Sequence, residues 1–321
     1  MGMESKYIWM DGKLVEYEKA TLHFLTPALH YGMAMFEGIR CYNTPRGSAV
    51  FRLREHLQRL LDSAKVFGIR DFPYTLEDLR AAVHETIRVN DLAACYIRPL
   101  IYMANGPLGL NLDASRPSIG IAVWDWGTYL GDDALEKGVR MMVSSFTRHH
   151  PNVTMTKAKI SGNYANSVLA KTFAVRAGFD EAIMLDPTGL VAECSGENLF
   201  LVRAGKIYTS QRATILEGIT RDAVVTLATD LGYPVIEEPI SRDQLYIADE
   251  VFVTGTAAEC VAVCEIDFRT IGSGRMGPVT RAIQQSFFQT ARGDGRRSAE
   301  WLDYLTPATA SIPAPAAVAS R

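Results

Sequence analysis

Long apolar runs are missing from this 321-residue chain, and no stretch approaches the ~18 residues that a membrane-spanning helix needs. A surplus of charge is missing too. Thirty-three Lys+Arg against 36 Asp+Glu give a formal net charge of -3, so nothing points to a nucleic acid or an anionic membrane as partner. Cysteine is scarce. The five present (Cys41, Cys95, Cys194, Cys260, Cys264) have no CxxC spacing and read as free thiols in a reducing compartment. The six histidines show no ligand spacing, and HExxH, EF-hand and P-loop patterns are absent, so no metal is expected. There are no internal repeats. The opening Met-Gly-Met-Glu-Ser-Lys lacks the basic and apolar regions of a signal peptide, and Lys6 stands where myristoylation of Gly2 needs Ser or Thr. The expected compartment is the cytoplasm. What is there is an ordinary globular composition, 48% hydrophobic and 21% charged, in a length suited to about two domains.

Periodicity outlines the elements. Tyr7–Met10 turned by Asp11-Gly12 into Leu14-Val15 reads as a hairpin. The Ala28–Gly38 stretch has no clean period and suggests a helix in its middle. Arg54–Phe67 is a helix with Leu57, Leu60, Leu61, Ala64 and Phe67 on one stripe and Gly68 to end it. Arg59 lies opposite that stripe, where periodicity alone makes it a solvated charge. A second helix covers Leu76–Val89, and strands follow at Tyr96–Tyr102 and Ser118–Val123, joined by the Gly- and Pro-rich loop Asn105–Pro117. Glycines and acids around residues 126–133 mark a candidate linker. Short strands and turns run from Val139 to Thr209, interrupted by a helix over Tyr164–Ala177. Thr220 is a suitable N-cap for a helix over Arg221–Leu231, and Pro278 opens the last helix. Residues 306–321, rich in Ala, Pro and Ser, are expected to be disordered.

Gly272-Ser273-Gly274-Arg275-Met276-Gly277 matches G-x-G-x-x-G letter for letter. Only a helix and the tail follow it, whereas a dinucleotide fold needs further parallel strands, so it reads as a glycine-rich turn.

Three other stretches carry chemistry. Thr156–Tyr164 holds Lys157 and Lys159, either of which could be an amine nucleophile toward an aldehyde or a surface charge. Gly218-Ile219-Thr220 and Gly255-Thr256-Ala257 have the composition of phosphate-binding turns, or of plain caps. Glu193 closes a strand before Cys194-Ser195-Gly196 and could partner a cationic heterocycle, or lie on the surface. An amine, a phosphate cradle and such a carboxylate are together the parts of a pyridoxal phosphate site.

Glu193, Ser195, Asn198-Leu199-Phe200, Ile207, Thr209, Leu216, Gly218-Ile219 and Arg221 resemble the signature of the class IV, fold type IV, aminotransferases. Phe36-Glu37-Gly38-Ile39-Arg40, Arg54-Glu55-His56-Leu57-Gln58-Arg59, Tyr96-Ile97-Arg98-Pro99, Gly162-Asn163-Tyr164 and Gly255-Thr256-Ala257-Ala258-Glu259 extend the resemblance to the branched-chain amino acid aminotransferases, over roughly residues 6 to 305.

The resemblance implies a mixed α/β fold of two domains, 1–125 and a larger 134–305 in agreement with the candidate linker, with pyridoxal 5'-phosphate between them. It makes Lys159 the Schiff-base lysine and proton shuttle, Glu193 the partner of the ring nitrogen and Tyr164 that of the phenolic oxygen. Arg59, Gly218, Ile219, Thr220 and Thr256 would hold the phosphate, which overrules the periodicity reading of Arg59. Tyr96, Arg40 and the Thr256-Ala257 backbone would take the substrate's α-carboxylate. Arg98, Tyr31 and Tyr129 would meet the side-chain carboxylate of glutamate, and Phe36, Gly38, Trp126 and Leu108 would form an apolar wall. It further implies transamination of L-leucine, L-isoleucine and L-valine with 2-oxoglutarate, in a homodimer at least, with a hexamer left open. D-amino acid and (R)-amine transaminases and aminodeoxychorismate lyase share the fold and are the alternatives, with a non-catalytic binding protein the remotest. The Arg148–Val153 run reads as a solvated loop.

Overall fold

The computed structural model describes residues 5–127, 130 and 133–305. Tyr129, part of the 126–133 linker and the 306–321 tail lie outside the described residues. The described chain is mixed α/β and divides into two compact units. One takes residues 5–126, 158–162 and 298–305, the other residues 127–157 and 163–297. The division differs from the contiguous domains expected, because two short segments of the second half fold with the first.

In the first unit, β1 (Tyr7–Met10) and β2 (Lys13–Glu16) form the hairpin, with Asp11 and Gly12 at φ 46° and 86°. Positive φ at both turn residues matches the twist of the flanking strands. Helix α1 (Pro27–Tyr31) stops at Gly32, φ 66°, and the chain extends into β3 (Ala34–Phe36). The helix expected in the middle of 28–38 is therefore displaced toward its start, because Gly32 adopts a left-handed conformation that breaks the ladder. Then come β4 (Ile39–Thr44), β5 (Gly47–Phe51), α2 (Leu53–Phe67), α3 (Leu76–Val89), β6 (Cys95–Asn105) and β7 (Arg116–Trp124). The antiparallel sheet runs β5–β4–β6–β7–β1–β2, with β3 beside β6 and the strand Leu302–Tyr304 outside β5.

Leu57, Leu60 and Ala64 of α2 and Leu79, Val83 and Ile87 of α3 are buried against Ile39, Ile97, Ile119 and Val123. Each large aliphatic side chain so placed contributes about 1.5–3 kcal/mol. Gly68, φ 96°, closes α2, and a Thr75–Asp78 capping box opens α3. Ala158 and Ile160 join this core, and Ile160 bridges to Met35.

The second unit comprises α4 (Ala134–Lys137), β8 (Val139–Val143), α5 (Tyr164–Arg176), β9 (Glu181–Leu185), β10 (Val191–Cys194), β11 (Asn198–Arg203), β12 (Lys206–Thr209), α6 (Ile219–Asp230), β13 (Val235–Glu237), α7 (Arg242–Tyr246), β14 (Glu250–Gly255), β15 (Glu259–Ile266), β16 (Arg269–Thr270) and α8 (Pro278–Ala291). Its mixed sheet runs β10–β9–β8–β15–β14–β11–β12–β13, with β16 beside β15. Helices α6 and α8 pack on β14 over stacked Phe200 and Phe252 rings, 4.9 Å apart. The chain then returns to the first unit through α9 (Ser298–Trp301) and β17 (Leu302–Tyr304).

Two helix starts bear on function. Helix α6 begins earlier than expected. Gly218 is its N-cap and makes no side-chain cap, while Thr220 is buried inside the first turn. The start of α8, after the Gly272–Gly277 turn, is filled by a carboxylate. Glu250 accepts from Val279 N at 3.0 Å and Thr280 N at 2.8 Å, which leaves no room there for a nucleotide phosphate. Among the described residues no helix is long and apolar enough to cross a membrane.

Candidate active site

Lys159 is held by its backbone. Its carbonyl accepts from Phe36 N at 3.1 Å, and its own N–H donates to Ser63 Oγ at 3.0 Å. Ser63 in turn donates to the Arg59 carbonyl at 2.7 Å, so one hydroxyl on α2 ties the lysine segment to the turn that carries Arg59. Gly32 and Gly162 meet back to back. A Cβ on Gly32 would lie 2.8 Å from Gly162 Cα, so Gly32 has no space for a side chain without moving the lysine segment. Thus fixed, Lys159 Nζ stands 4.8 Å from the centroid of the Phe36 ring.

Around that ring the strands of the first sheet build an aromatic box. Tyr96 of β6 packs against Trp124 at 5.1 Å and edge-on to Trp126 at 4.3 Å. Gly38 makes this possible, since a Cβ there would sit 1.9 Å from the Tyr96 hydroxyl oxygen. Arg98 lies over Phe36 at 4.8 Å and over Tyr96 at 5.4 Å, in the range of cation–π attraction. Its Nε is buried without a hydrogen-bond partner among the described residues. Arg40 reaches the Trp126 carbonyl at 3.5 Å. The box thus brings together Lys159, Phe36, Gly38, Arg40, Tyr96, Arg98 and Trp126. Tyr31, at the end of α1, and Leu108, on the β6–β7 loop, are exposed side chains.

Arg59 is not a solvated charge. Its side chain is 15% exposed and forks onto the fully buried Glu37 carboxylate, Nε to Oε1 at 2.6 Å and Nη2 to Oε2 at 2.8 Å. The periodicity reading fails here, because Arg59 leaves the helix face sideways toward Glu37 on the β3–β4 turn.

The second unit carries the other expected residues. Glu193, buried in β10, pairs with Arg148 at 2.8 Å. It also accepts from Leu216 N at 3.2 Å and from Asn198 Nδ2 at 3.2 Å. Asn198 donates as well to the Leu216 carbonyl at 3.1 Å, and its Oδ1 would lie 2.1 Å from a Cβ on Gly218. One amide therefore holds the carboxylate and the entry to α6 at fixed spacing. The N–H groups of Ile219 and Thr220 follow at that uncapped helix start, where the macrodipole favours an anion. Thr256 and Ala257 follow β14. Its last residue, Gly255, approaches the Gly196 carbonyl so closely that a Cβ would stand 3.3 Å from it. Tyr164 opens α5.

Several site residues were not found from sequence. Arg148, read as part of a solvated loop, is 7% exposed because Glu193 draws it inward. Neighbouring His149 is half-buried, and burial together with the Arg148 charge lowers its pKa to about 4. Glu37, His56 and Ser63 sat inside or beside quoted motifs without a role. A signal existed for His56 and Ser63, which are polar residues among the buried positions of α2. Lys157 contacts the Arg212 carbonyl and pairs with Glu217 at 3.0 Å, as a partly exposed surface lysine does.

The first unit thus sets an amine over an aromatic box, and the second holds a clamped carboxylate and a helix start without a side-chain cap. The chain belongs to the class IV aminotransferases, whose family model matches residues 34–266. It is 47% identical over 294 residues to the branched-chain-amino-acid aminotransferase of Pseudomonas aeruginosa, covering 92% of this chain and 95% of that protein. The crystal structure of the Escherichia coli branched-chain amino acid aminotransferase superposes with a TM-score of 0.92 at 44% identity, over 94% of this chain and all of that one (100%). The branched-chain amino acid aminotransferase of Thermobaculum terrenum, in its PLP-bound holo form, gives 0.88 at 32% identity, over 95% of this chain and 100% of that one.

Proposed function

We propose that this chain is a branched-chain-amino-acid transaminase that uses pyridoxal 5'-phosphate to exchange the amino groups of L-leucine, L-isoleucine and L-valine with 2-oxoglutarate. The observation that carries the reading is Arg98, a partly buried cation whose Nε is buried without a partner among the described residues, set in a box of Phe36, Tyr96 and Trp124. A transaminase of this kind must admit an apolar side chain and a carboxylate into one pocket. Aromatic faces receive the first, and an arginine stacked on those faces receives the second.

The residues present fit the cofactor. Helix α6 starts at Gly218 without a side-chain cap, Glu193 is a buried carboxylate paired with Arg148, and Arg59 is a fixed cation. When bound, the group supplies an aldehyde for the substrate amine and a conjugated ring that draws electron density from Cα. Glu193 keeps a proton on the ring nitrogen, with Arg148 balancing its charge. Tyr164 donates to the phenolic oxygen. Arg59, Gly218, Ile219, Thr220 and Thr256 hold the phosphate. Lys159 Nζ would carry the proton between the substrate Cα and C4′ of the bound group, its backbone fixed by Ser63 and Phe36. Arg40, Tyr96 and the Thr256-Ala257 backbone orient the α-carboxylate.

We further propose a homodimer. Phe24, Leu29 and Leu110 are 77%, 60% and 83% exposed, and Leu25, Tyr31 and Leu108 are exposed beside them in the sequence. So many large apolar side chains, in two segments of one unit, suit a covering surface of the same composition on a second copy, and that copy would complete the pocket near Tyr31 and Leu108.

A donor and acceptor panel tests the function. L-Leucine, L-isoleucine and L-valine should each shift the cofactor absorbance and turn over with 2-oxoglutarate. Turnover with D-amino acids or (R)-amines alone, or pyruvate release with no keto acid added, would assign the chain to one of the alternatives.

A further inference from the structure

Amino-group transfer makes no direct use of Glu37 or His56, yet both are completely buried beside Arg59. Glu37 sits on the turn between β3 and β4, anchored through its N–H to the Pro99 carbonyl at 3.0 Å. Oε1 accepts from Arg59 Nε at 2.6 Å, while Oε2 accepts from Arg59 Nη2 at 2.8 Å and from His56 Nδ1 at 2.7 Å. Burial works against ionisation of Glu37, but the Arg59 charge and the hydrogen bonds from His56 and Arg59 outweigh it and hold the carboxyl far below its usual range. Burial lowers His56 in turn, against the pull of Glu37, and the nearby Arg59 and Lys159 charges push the same way. His56 is thus a neutral donor that fixes the carboxylate through Oε2, the oxygen it shares with Arg59 Nη2.

The geometry has a directional result. A guanidinium gripped through Nε and Nη2 cannot rotate about its long axis, and its Nη1 edge is turned away from Glu37. A buried ion pair adds little stability over well-packed apolar residues, so orientation is the better account of why this one is present.

We propose that Glu37 and His56 are positioning residues for the cofactor, locking the Arg59 guanidinium so that its outer edge meets the phosphate. The proposal rests on the reading of Arg59 as a phosphate ligand. It assigns the pair no part in proton transfer. Their contribution falls on phosphate affinity and is absent for a ligand lacking the phosphate.

The test strips the full-length protein of cofactor and titrates it back with pyridoxal phosphate and with pyridoxal, which has the same ring and aldehyde but no phosphate. Glu37→Gln should weaken pyridoxal phosphate roughly ten- to a hundredfold, the scale of a hydrogen bond to a charged group, and leave pyridoxal unchanged. In an Arg59→Ala background the same change should add nothing. His56→Leu should move affinity in the same direction, and His56→Asn, whose amide can replace Nδ1–H, should restore it. These two variants carry the test if Glu37→Gln fails to fold. Equal losses for both ligands, or no loss for either while Arg59→Ala loses pyridoxal phosphate selectively, would overturn the proposal. If Arg59→Ala shows no phosphate-selective loss, the reading of Arg59 falls, and the proposal with it.

Discussion

Two lysines two positions apart in the sequence have different surroundings. Lys159 stands over Phe36 in the aromatic box, whereas Lys157 pairs with Glu217 and the Arg212 carbonyl. Lys159→Ala should abolish the absorbance band of covalently bound cofactor, and Lys157→Ala should leave it. A spectrum with that order reversed would falsify the assignment. Arg148 makes a second case. Replaced by methionine, it leaves Glu193 buried and short of its cation, at a cost of about 3–5 kcal/mol that chemical denaturation would read as a lowered midpoint. Glu197 titrates in a measurable range. Burial, together with the Glu181 charge, raises its carboxyl from 4.5 to about 8. The folded state therefore holds a proton that the unfolded chain releases. Stability from this group is present below about pH 4.5 and is lost as pH rises toward 8. Glu197→Gln should flatten that slope, and thermal melts across the range would check it. At this scale the sequence separated the two lysines only through the resemblance around Gly162-Asn163-Tyr164. It was silent on Arg148, since nothing in Arg148-His149-His150 tells that a carboxylate forty-five residues on will draw the first arginine inward.

Among the elements, α6 shows how a start can matter more than a length. Spacing placed Ala223, Val224, Leu227, Ala228 and Leu231 on its apolar face, and the first four are buried, whereas Leu231, past the last helical residue, is exposed. Its first residue was misjudged by two positions, because Thr220 is a good cap by type but here the chain turns at Gly218 against Asn198. Gly218→Ala would force Cβ to within 2.1 Å of Asn198 Oδ1. The expected cost is about 1–3 kcal/mol of overpacking, together with loosened cofactor, measured as a smaller melting-temperature gap between holo and apo protein. Helix α2 was legible in extent and core face, and both its ends agree with the spacing within a residue. Its polar residues were not legible, because a helical wheel describes neighbours on one helix and says nothing of a turn between β3 and β4.

For the whole molecule, assembly gives the clearest prediction. Leu29→Glu places a charge among the exposed apolar residues of the first unit, and light scattering should then report monomers with little residual transamination. A variant that stays dimeric and active would move the interface elsewhere. The organisation into units was only partly readable. Composition marks where a chain can change direction, near residues 126–133, but a five-residue excursion such as Ala158–Gly162 leaves no compositional trace.

That excursion and the late strand β17 set a schedule for synthesis. The first unit needs Ala158 and Ile160 in its core and Leu302–Tyr304 along the edge of β5, and the Arg52 N–H is met by the Trp301 carbonyl. At a ribosomal pace of about 5–20 residues per second, the strand that closes this sheet emerges roughly ten to thirty-five seconds after Trp126. Until then the nascent chain carries the sheet with β5 as a bare edge. The half of the protein made first is the half that finishes last, and a ribosome stalled anywhere before residue 298 leaves it unfinished.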